Sequence, residues 1–176
     1  MRVKKVLCLS GSLRRTSANT AALLAAQRLA PAGLDLELYR GMAELPAFNP
    51  DTEALALPEP VARLRARVAT ADALLIACPE YAHGVPGAFK NLLDWLVGGV
   101  EFPHKPVLTL NISVRGSHHA QDALLEVLRT MSACLLSPEP LIVALPASGC
   151  SVADVLADPR RCAEIEAALS LLSPAG

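Results

Sequence analysis

The stretch VLCLSGSLRRTSANT, residues 6–20, decides the fold class. Val6 to Ser10 is an apolar run of strand length, Gly11 permits a sharp turn, and Ser17 reads as the N-cap of a helix that continues from Asn19 to Leu29. A strand that ends in a small-residue turn and enters a helix directly is the unit from which parallel α/β sheets are built.

Four further apolar runs repeat that unit outward from it: Leu34 to Tyr39, Ala73 to Ala77, Pro106 to Ile112 and Leu141 to Leu145. Three of the five runs are near-continuously hydrophobic, as strands covered on both faces are. Leu34 to Tyr39 alternates instead and reads as an edge strand. Helical stretches span residues 61–69, 87–97, 120–133 and 162–172, and in the second of these Phe89, Leu92, Leu93 and Leu96 form one apolar stripe. The alternation predicts right-handed crossovers and a parallel sheet with helices on both faces. Pro46, Pro50, Pro58 and Pro60 predict a long surface loop with no element of its own, and Ser173 to Gly176 reads as a frayed tail.

The chain has 176 residues, 52% of them hydrophobic and 19% charged, which fits one well-packed domain over residues 1–176 and excludes a disordered chain. Its 16 basic and 17 acidic side chains are interspersed, so no basic stripe marks a nucleic-acid or acidic-membrane partner. The apolar run after the first five residues is too short for a signal peptide, and no run is long enough to span a bilayer. Five widely spaced cysteines with no CxxC predict buried thiols in a reducing cytoplasm.

Ser10, Ser12, Ser17, Asn19 and Thr20 supply neutral donors around the first turn, and Arg14 or Arg15 adds a charged fork. Together with a helix N-terminus they suit a terminal phosphate; the competing reading is a solvated cap with two surface arginines. GxGxxG and GxxxxGK[ST] are both absent, which argues against a Rossmann dinucleotide fingerprint and a triphosphate P-loop.

A second concentration of signal follows the third strand, in CPEYAHGVPGAFKNLLDW, residues 78–95. Pro79, Gly84, Pro86 and Gly87 stiffen or bend the backbone, and Tyr81 offers a flat surface in a chain with few aromatics. A planar heterocycle needs such a face plus backbone donors. Tyr81 as a cover for the sheet edge, His83 as a solvent-facing loop residue and Trp95 as a core or interface residue stand as alternatives, and Lys90 and Asp94 are expected to pair along the helix. After the fourth strand, Ser113, Arg115 and Gly116 are placed to meet the edge of a ring. The neighbours His118 and His119 are expected to point apart, and with Cys78 and Glu80 they form no usual zinc spacing. GxSxG is absent, and no serine stands beside an evident histidine and acid, so no catalytic side chain is assigned.

Ser10 to Arg14 with Ser17 and Asn19, and Pro79 to Tyr81 running through Pro86, Gly87, Lys90, Asn91, Asp94 and Trp95, resemble the NADPH-dependent FMN reductase family, which includes flavin, quinone, azo-dye and chromate reductases. Leu45 to Asp51 is similar to that family's loop after the second strand, so the resemblance covers roughly residues 3–150. It implies a flavodoxin-like three-layer α/β fold with a five-stranded parallel sheet of order 2-1-3-4-5 and FMN at the reversal of strand order. By the same resemblance Ser10, Ser12, Leu13, Arg14, Ser17 and Asn19 would hold the phosphate side, and Pro79, Glu80, Tyr81, Ala82, His83 and Gly84 would run along the isoalloxazine, with Ser113 and Arg115 beside it. A homodimer or homotetramer with residues 87–97 at the contact is also implied. Two departures stand out: Ala82 replaces an asparagine common in relatives, and Ser113 to Gly116 replaces a Ser-Pro-Gly-Gly type of loop.

The expectation is an FMN-dependent oxidoreductase that takes hydride from NADPH or NADH and passes electrons to a small acceptor such as a quinone or free flavin. The alternatives are a specialised azo or quinone reductase, and a flavodoxin-like FMN-binding module without efficient nicotinamide turnover. No segment of the sequence reads as a 2′-phosphate pocket.

Overall fold

The computed structural model describes residues 2–146 and 150–173. The expected frayed tail thus lies largely outside the described residues. Strand β1 (Lys4–Ser10) leads to helix α1 (Ala18–Leu29), and β2 (Leu34–Leu38) is followed by a 3-10 turn at Met42–Glu44 and helices α2 (Pro50–Leu55) and α3 (Glu59–Thr70). Then come β3 (Ala73–Ala77), α4 (Gly87–Val97), β4 (Pro106–Ser113), α5 (His118–Thr130), β5 (Cys134–Leu135), β6 (Leu141–Leu145), α6 (Val152–Leu156) and α7 (Pro159–Leu172).

The strands form one parallel sheet of order β2-β1-β3-β4, and the fifth position is shared by β5 and β6. The two-residue β5 pairs Pro106 and Val107 at the start of β4, whereas β6 pairs Leu110 to Ser113 at its end, across a register shift between Asn111 and Ser113. The five-strand, 2-1-3-4-5 arrangement therefore holds with its last position split in two. A two-residue strand carries no periodicity, which is why the sequence shows no sign of β5.

Burial on both faces follows from the two-residue period of the strands. Val6 and Cys8 of β1 and Ala73, Leu75 and Ala77 of β3 join α1, α6 and α7 in one core layer. Leu7 and Leu9, with Leu74 and Ile76, face α3, α4 and α5 in the other. As expected, β2 is an edge strand with Asp35 and Glu37 exposed between buried Leu34 and Leu36.

The loop expected between β2 and α3 contains a helix, which corrects the reading of its prolines as breakers. Pro50 occupies the first turn of α2, where a missing N–H costs nothing, and Asn49 Oδ1 accepts the Asp51 N–H at 2.9 Å as the N-cap. The loop is also pinned to α4. Asn91 accepts the Phe48 N–H at 2.7 Å and donates to the Pro46 carbonyl at 2.9 Å, and Trp95 Nε1 donates to that carbonyl at 2.8 Å. Trp95 is fully buried, its ring meeting Phe48 edge-on at 5.0 Å, and Lys90 pairs with Asp94 as expected. Arg65 donates to the Trp95 carbonyl and pairs with Glu53 of α2.

The cysteine reading needs one correction. All five thiols are free and Cys8, Cys78 and Cys150 are buried, but Cys134 is exposed because the short β5 lies at the sheet margin.

Candidate functional site

The chain leaves β1 toward β2 on one side and returns to β3 on the other, so the loops after β1 and β3 diverge at their strands' C-terminal ends and open a crevice. The crevice is a cleft of about 500 Å³, a size usual for small-molecule sites. Its walls come from the turn after β1, the loop after β3, and the loop after β4 with the start of α5.

The first turn is shaped by its own hydroxyls. Ser10 Oγ lies 2.8 Å from Thr20 Oγ1 and accepts the Ser12 N–H, Ser12 Oγ accepts the Arg14 N–H, and Ser17 Oγ caps α1 through the Thr20 N–H. Gly11 is required by close approach: a β-carbon there would stand 3.0 Å from the Pro79 ring and 3.1 Å from Cys78 Cα and Sγ. The first turn of α1 holds no acidic residue, and Arg14 has no carboxylate partner among the described residues. Asn19, nearly buried on the cleft wall, has an Oδ1 with no hydrogen-bond partner. An unpaired arginine, a helix start free of negative charge and an unsatisfied amide fit a ligand that ends in a phosphate and carries hydroxyls near it.

The second wall is held from behind. Gln121 Nε2, in α5, donates to the Cys78 carbonyl at 2.9 Å, and Glu80 Oε2 accepts the Ala120 N–H at 3.0 Å. That N–H holds the Glu80 carboxyl below the usual carboxylate range against the opposing effect of burial, with His119, His83 and His118 assisting. Tyr81 and Gly84 exchange backbone hydrogen bonds of 3.0 and 3.1 Å, closing a tight turn with Ala82 at φ 49° and His83 at φ 58°. Left-handed backbone at both central positions is the geometry that Asn and Gly favour, so Ala82 carries strain that an asparagine would relieve. Tyr81 keeps 48% of its surface exposed and lines the cleft.

Of the residues singled out in the sequence, Ser12, Arg14, Ser17, Asn19, Pro79, Glu80, Tyr81, His83, Ser113 and Arg115 line the cleft. Ser10 is turned into the hydroxyl network beneath it, Leu13 faces a neighbouring hollow with Gly11, Pro86 and Ala88, and Ala82 and Gly84 shape the turn without reaching the wall. Ala18, Cys78, Ile112, Ser117, His118 and Leu145 complete the lining. Burial pushes the Cys78 thiol up to about 12, which leaves it an inert wall atom.

The expectation that His118 and His119 point apart is corrected. Their ring centroids are 4.1 Å apart, and His119 in turn meets His83 edge-on at 4.5 Å. Adjacent helical residues diverge by roughly 100°, but these two sit on the open first turn of α5, after Ser117 in left-handed backbone, where long side chains lean together. The signal that would have found His118 was present: it opens a helix at the C-terminal end of a buried strand.

Residues 4–144 match the family model described as NADPH-dependent FMN reductase. The chain is 40% identical over 128 residues to an NAD(P)H-dependent FMN reductase of Pseudomonas aeruginosa, covering 68% of this chain and 69% of that one. It is 31% identical over 138 residues to a quinone reductase of Escherichia coli, covering 76% and 73%. Among solved structures, the flavoenzyme NAD(P)H:(acceptor) oxidoreductase FerB of Paracoccus denitrificans superposes with a TM-score of 0.78 at 31% identity, over 97% of each chain. With the sheet order, the cleft at its reversal and these likenesses in hand, the chain belongs to the NADPH-dependent FMN reductase family, oxidoreductases of flavodoxin-like fold.

Proposed function

We propose that the protein is a single-domain, FMN-dependent NAD(P)H oxidoreductase that passes a hydride equivalent from a nicotinamide nucleotide to a small acceptor such as a quinone or free flavin. The observation that carries this reading is the pairing, in one cleft, of an anion-seeking turn with an exposed tyrosine.

In this reading Ser12, Arg14, Ser17, Asn19 and the free N–H groups at the start of α1 hold the phosphate, and Pro79, Glu80, Tyr81, His83, Ser113 and Arg115 border the ring. Ser10 and Leu13 support the first turn; Ala82 and Gly84 support the second. The flavin, when bound, supplies the two-electron chemistry. The protein's part is to bind and orient it, to keep one ring face open, and to set the charge around it. No side chain is needed as a nucleophile, and Ser12, Ser17 and Ser113 each accept a backbone N–H and are not paired with a histidine. The names of the relatives support a nicotinamide donor and a quinone or flavin acceptor.

The free thiols support action in a reducing cytoplasm, and no helix among the described residues is long and apolar enough to cross a membrane. A homodimer or homotetramer is supported by Val97 and Val100, left exposed at the end of α4.

The test is anaerobic reduction of FMN-loaded protein. Stoichiometric yellow protein that NADPH or NADH bleaches, and that a quinone recolours, is the expected result. Protein that binds FMN but is not bleached by either nucleotide is a passive flavin binder, and protein that binds no FMN removes the reading altogether.

A further inference from the structure

The cleft has a second cationic region that the phosphate turn does not use. Arg115, on the loop after β4, is exposed and has no carboxylate partner among the described residues. His118 from α5 and His83 from the turn after β3 line the same cleft. His119 joins those two, with ring centroids 4.1 Å from His118 and 4.5 Å from His83. Glu80 is the carboxylate that faces this group: Oε1 lies 3.4 Å from His83 Nδ1, and Oε2 is engaged by the Ala120 N–H. Asp122, one turn further along α5, is exposed and makes no ion pair with them. Three histidines thus gather around one carboxylate that is already partly committed, and Arg115 lines the same cleft.

Three imidazoles linked through His119 share the single Glu80 carboxylate, and Arg115 in the same cleft has none, so this lining favours a further anion. FMN has one strongly anionic group, and the proposed function assigns it to the turn around Arg14, on the other wall. A quinone acceptor brings no anion. The nicotinamide nucleotide brings a pyrophosphate and, in NADPH, a 2′-phosphate. We propose that Arg115, His118 and His83 form the recognition site for a phosphate group of the nicotinamide nucleotide, with His119 as a positioning residue that holds the two cleft-facing rings. This assignment rests on the FMN-dependent reading above.

The experiment uses FMN-loaded protein whose flavin stoichiometry is measured first, titrated with NADP+ and with NAD+ by calorimetry. His118→Gln, shown to retain FMN and native circular dichroism, and Arg115→Gln and His83→Gln, compared with the native protein at equal flavin occupancy because both residues border the ring, are expected to weaken NADP+ about tenfold, the low end for a hydrogen bond to a charged group. His119→Leu should weaken NADP+ as well, and the conservative His119→Gln should restore part of that loss. Loss for NADP+ with NAD+ unchanged identifies the 2′-phosphate as the bound group, and equal loss identifies the pyrophosphate. Variants that keep FMN and bind both nucleotides as the native protein does overturn the assignment while leaving the FMN reading intact. Native protein that takes up no FMN removes both.

Discussion

The two loops that wall the cleft, after β1 and after β3, are built on opposite principles. At the turn after β1, side chains shape the backbone: Ser10, Ser12 and Ser17 absorb N–H groups of their own loop, and among the described residues Arg14 has no carboxylate partner and Asn19 Oδ1 no hydrogen bond. At the loop after β3, the backbone shapes the site: Tyr81 and Gly84 lock a left-handed turn, while Gln121 and Glu80 tie the loop to α5. The first end spends its polar atoms locally and keeps a charge in reserve, as suits a small, highly charged group. The second is a stiff rail whose position depends on a distant helix, as suits a flat ring that is mostly apolar.

The largest effect that would break this contrast is at Arg14. Arg14→Ala should weaken FMN by about 1.5–3 kcal/mol and leave riboflavin nearly unchanged, measured by parallel fluorescence titrations. Equal losses for the two ligands would show that the first turn does not read a phosphate. Gly11→Ala addresses the seam between the two ends, where a methyl group would press on Cys78 and Pro79. It should cost about 1–3 kcal/mol of stability in urea unfolding and lower affinity for FMN and riboflavin alike, because it wedges the loops apart.

Gln121→Leu isolates the second end. Removing the donor to the buried Cys78 carbonyl should destabilise the fold by about 1–3 kcal/mol, read from denaturant midpoints, and loosen riboflavin as much as FMN. Ala82→Gly goes the other way and should stabilise by roughly 0.5–1 kcal/mol, since glycine adopts φ 49° without strain. No change in the thermal midpoint would mean that the turn carries no strain.

The smallest expected effect is at Glu80. Its carboxyl is held below the ordinary carboxylate value, near 4.3 in unfolded chains, chiefly by the Ala120 N–H. A depressed folded value means that the stabilisation is present above the unfolded pKa and is lost as pH falls through the folded one. Glu80→Gln should therefore flatten the acid limb of the stability curve below about pH 4, with little change near neutrality.

The legibility of the chain follows the range of the forces involved. The β1–turn–α1 unit is written in adjacent residues: an apolar run, a glycine, a capping serine, each acting within one turn of backbone. The edge character of β2 is written in its alternation, and the stripe of α4 in its spacing. The prolines before α3 misled because the same residue that breaks a helix interior starts a helix when an asparagine precedes it, as Asn49 precedes Pro50. The short α6 went unread although Ser151 and Asp154 form a capping box, because five residues carry too little periodicity.

By itself, the sequence determined the strand and helix alternation, the donor-rich turn and the stiff loop of residues 78–87, all from interactions between near neighbours in the chain. Only the tertiary structure decided that His83, His118 and His119 meet, that Glu80 and Gln121 join the loop after β3 to α5, and that Ser10 faces inward. Apart from the neighbours His118 and His119, those contacts join residues 10 to 43 positions apart, and the crossovers of a parallel sheet bring such residues side by side in a way that local spacing does not encode.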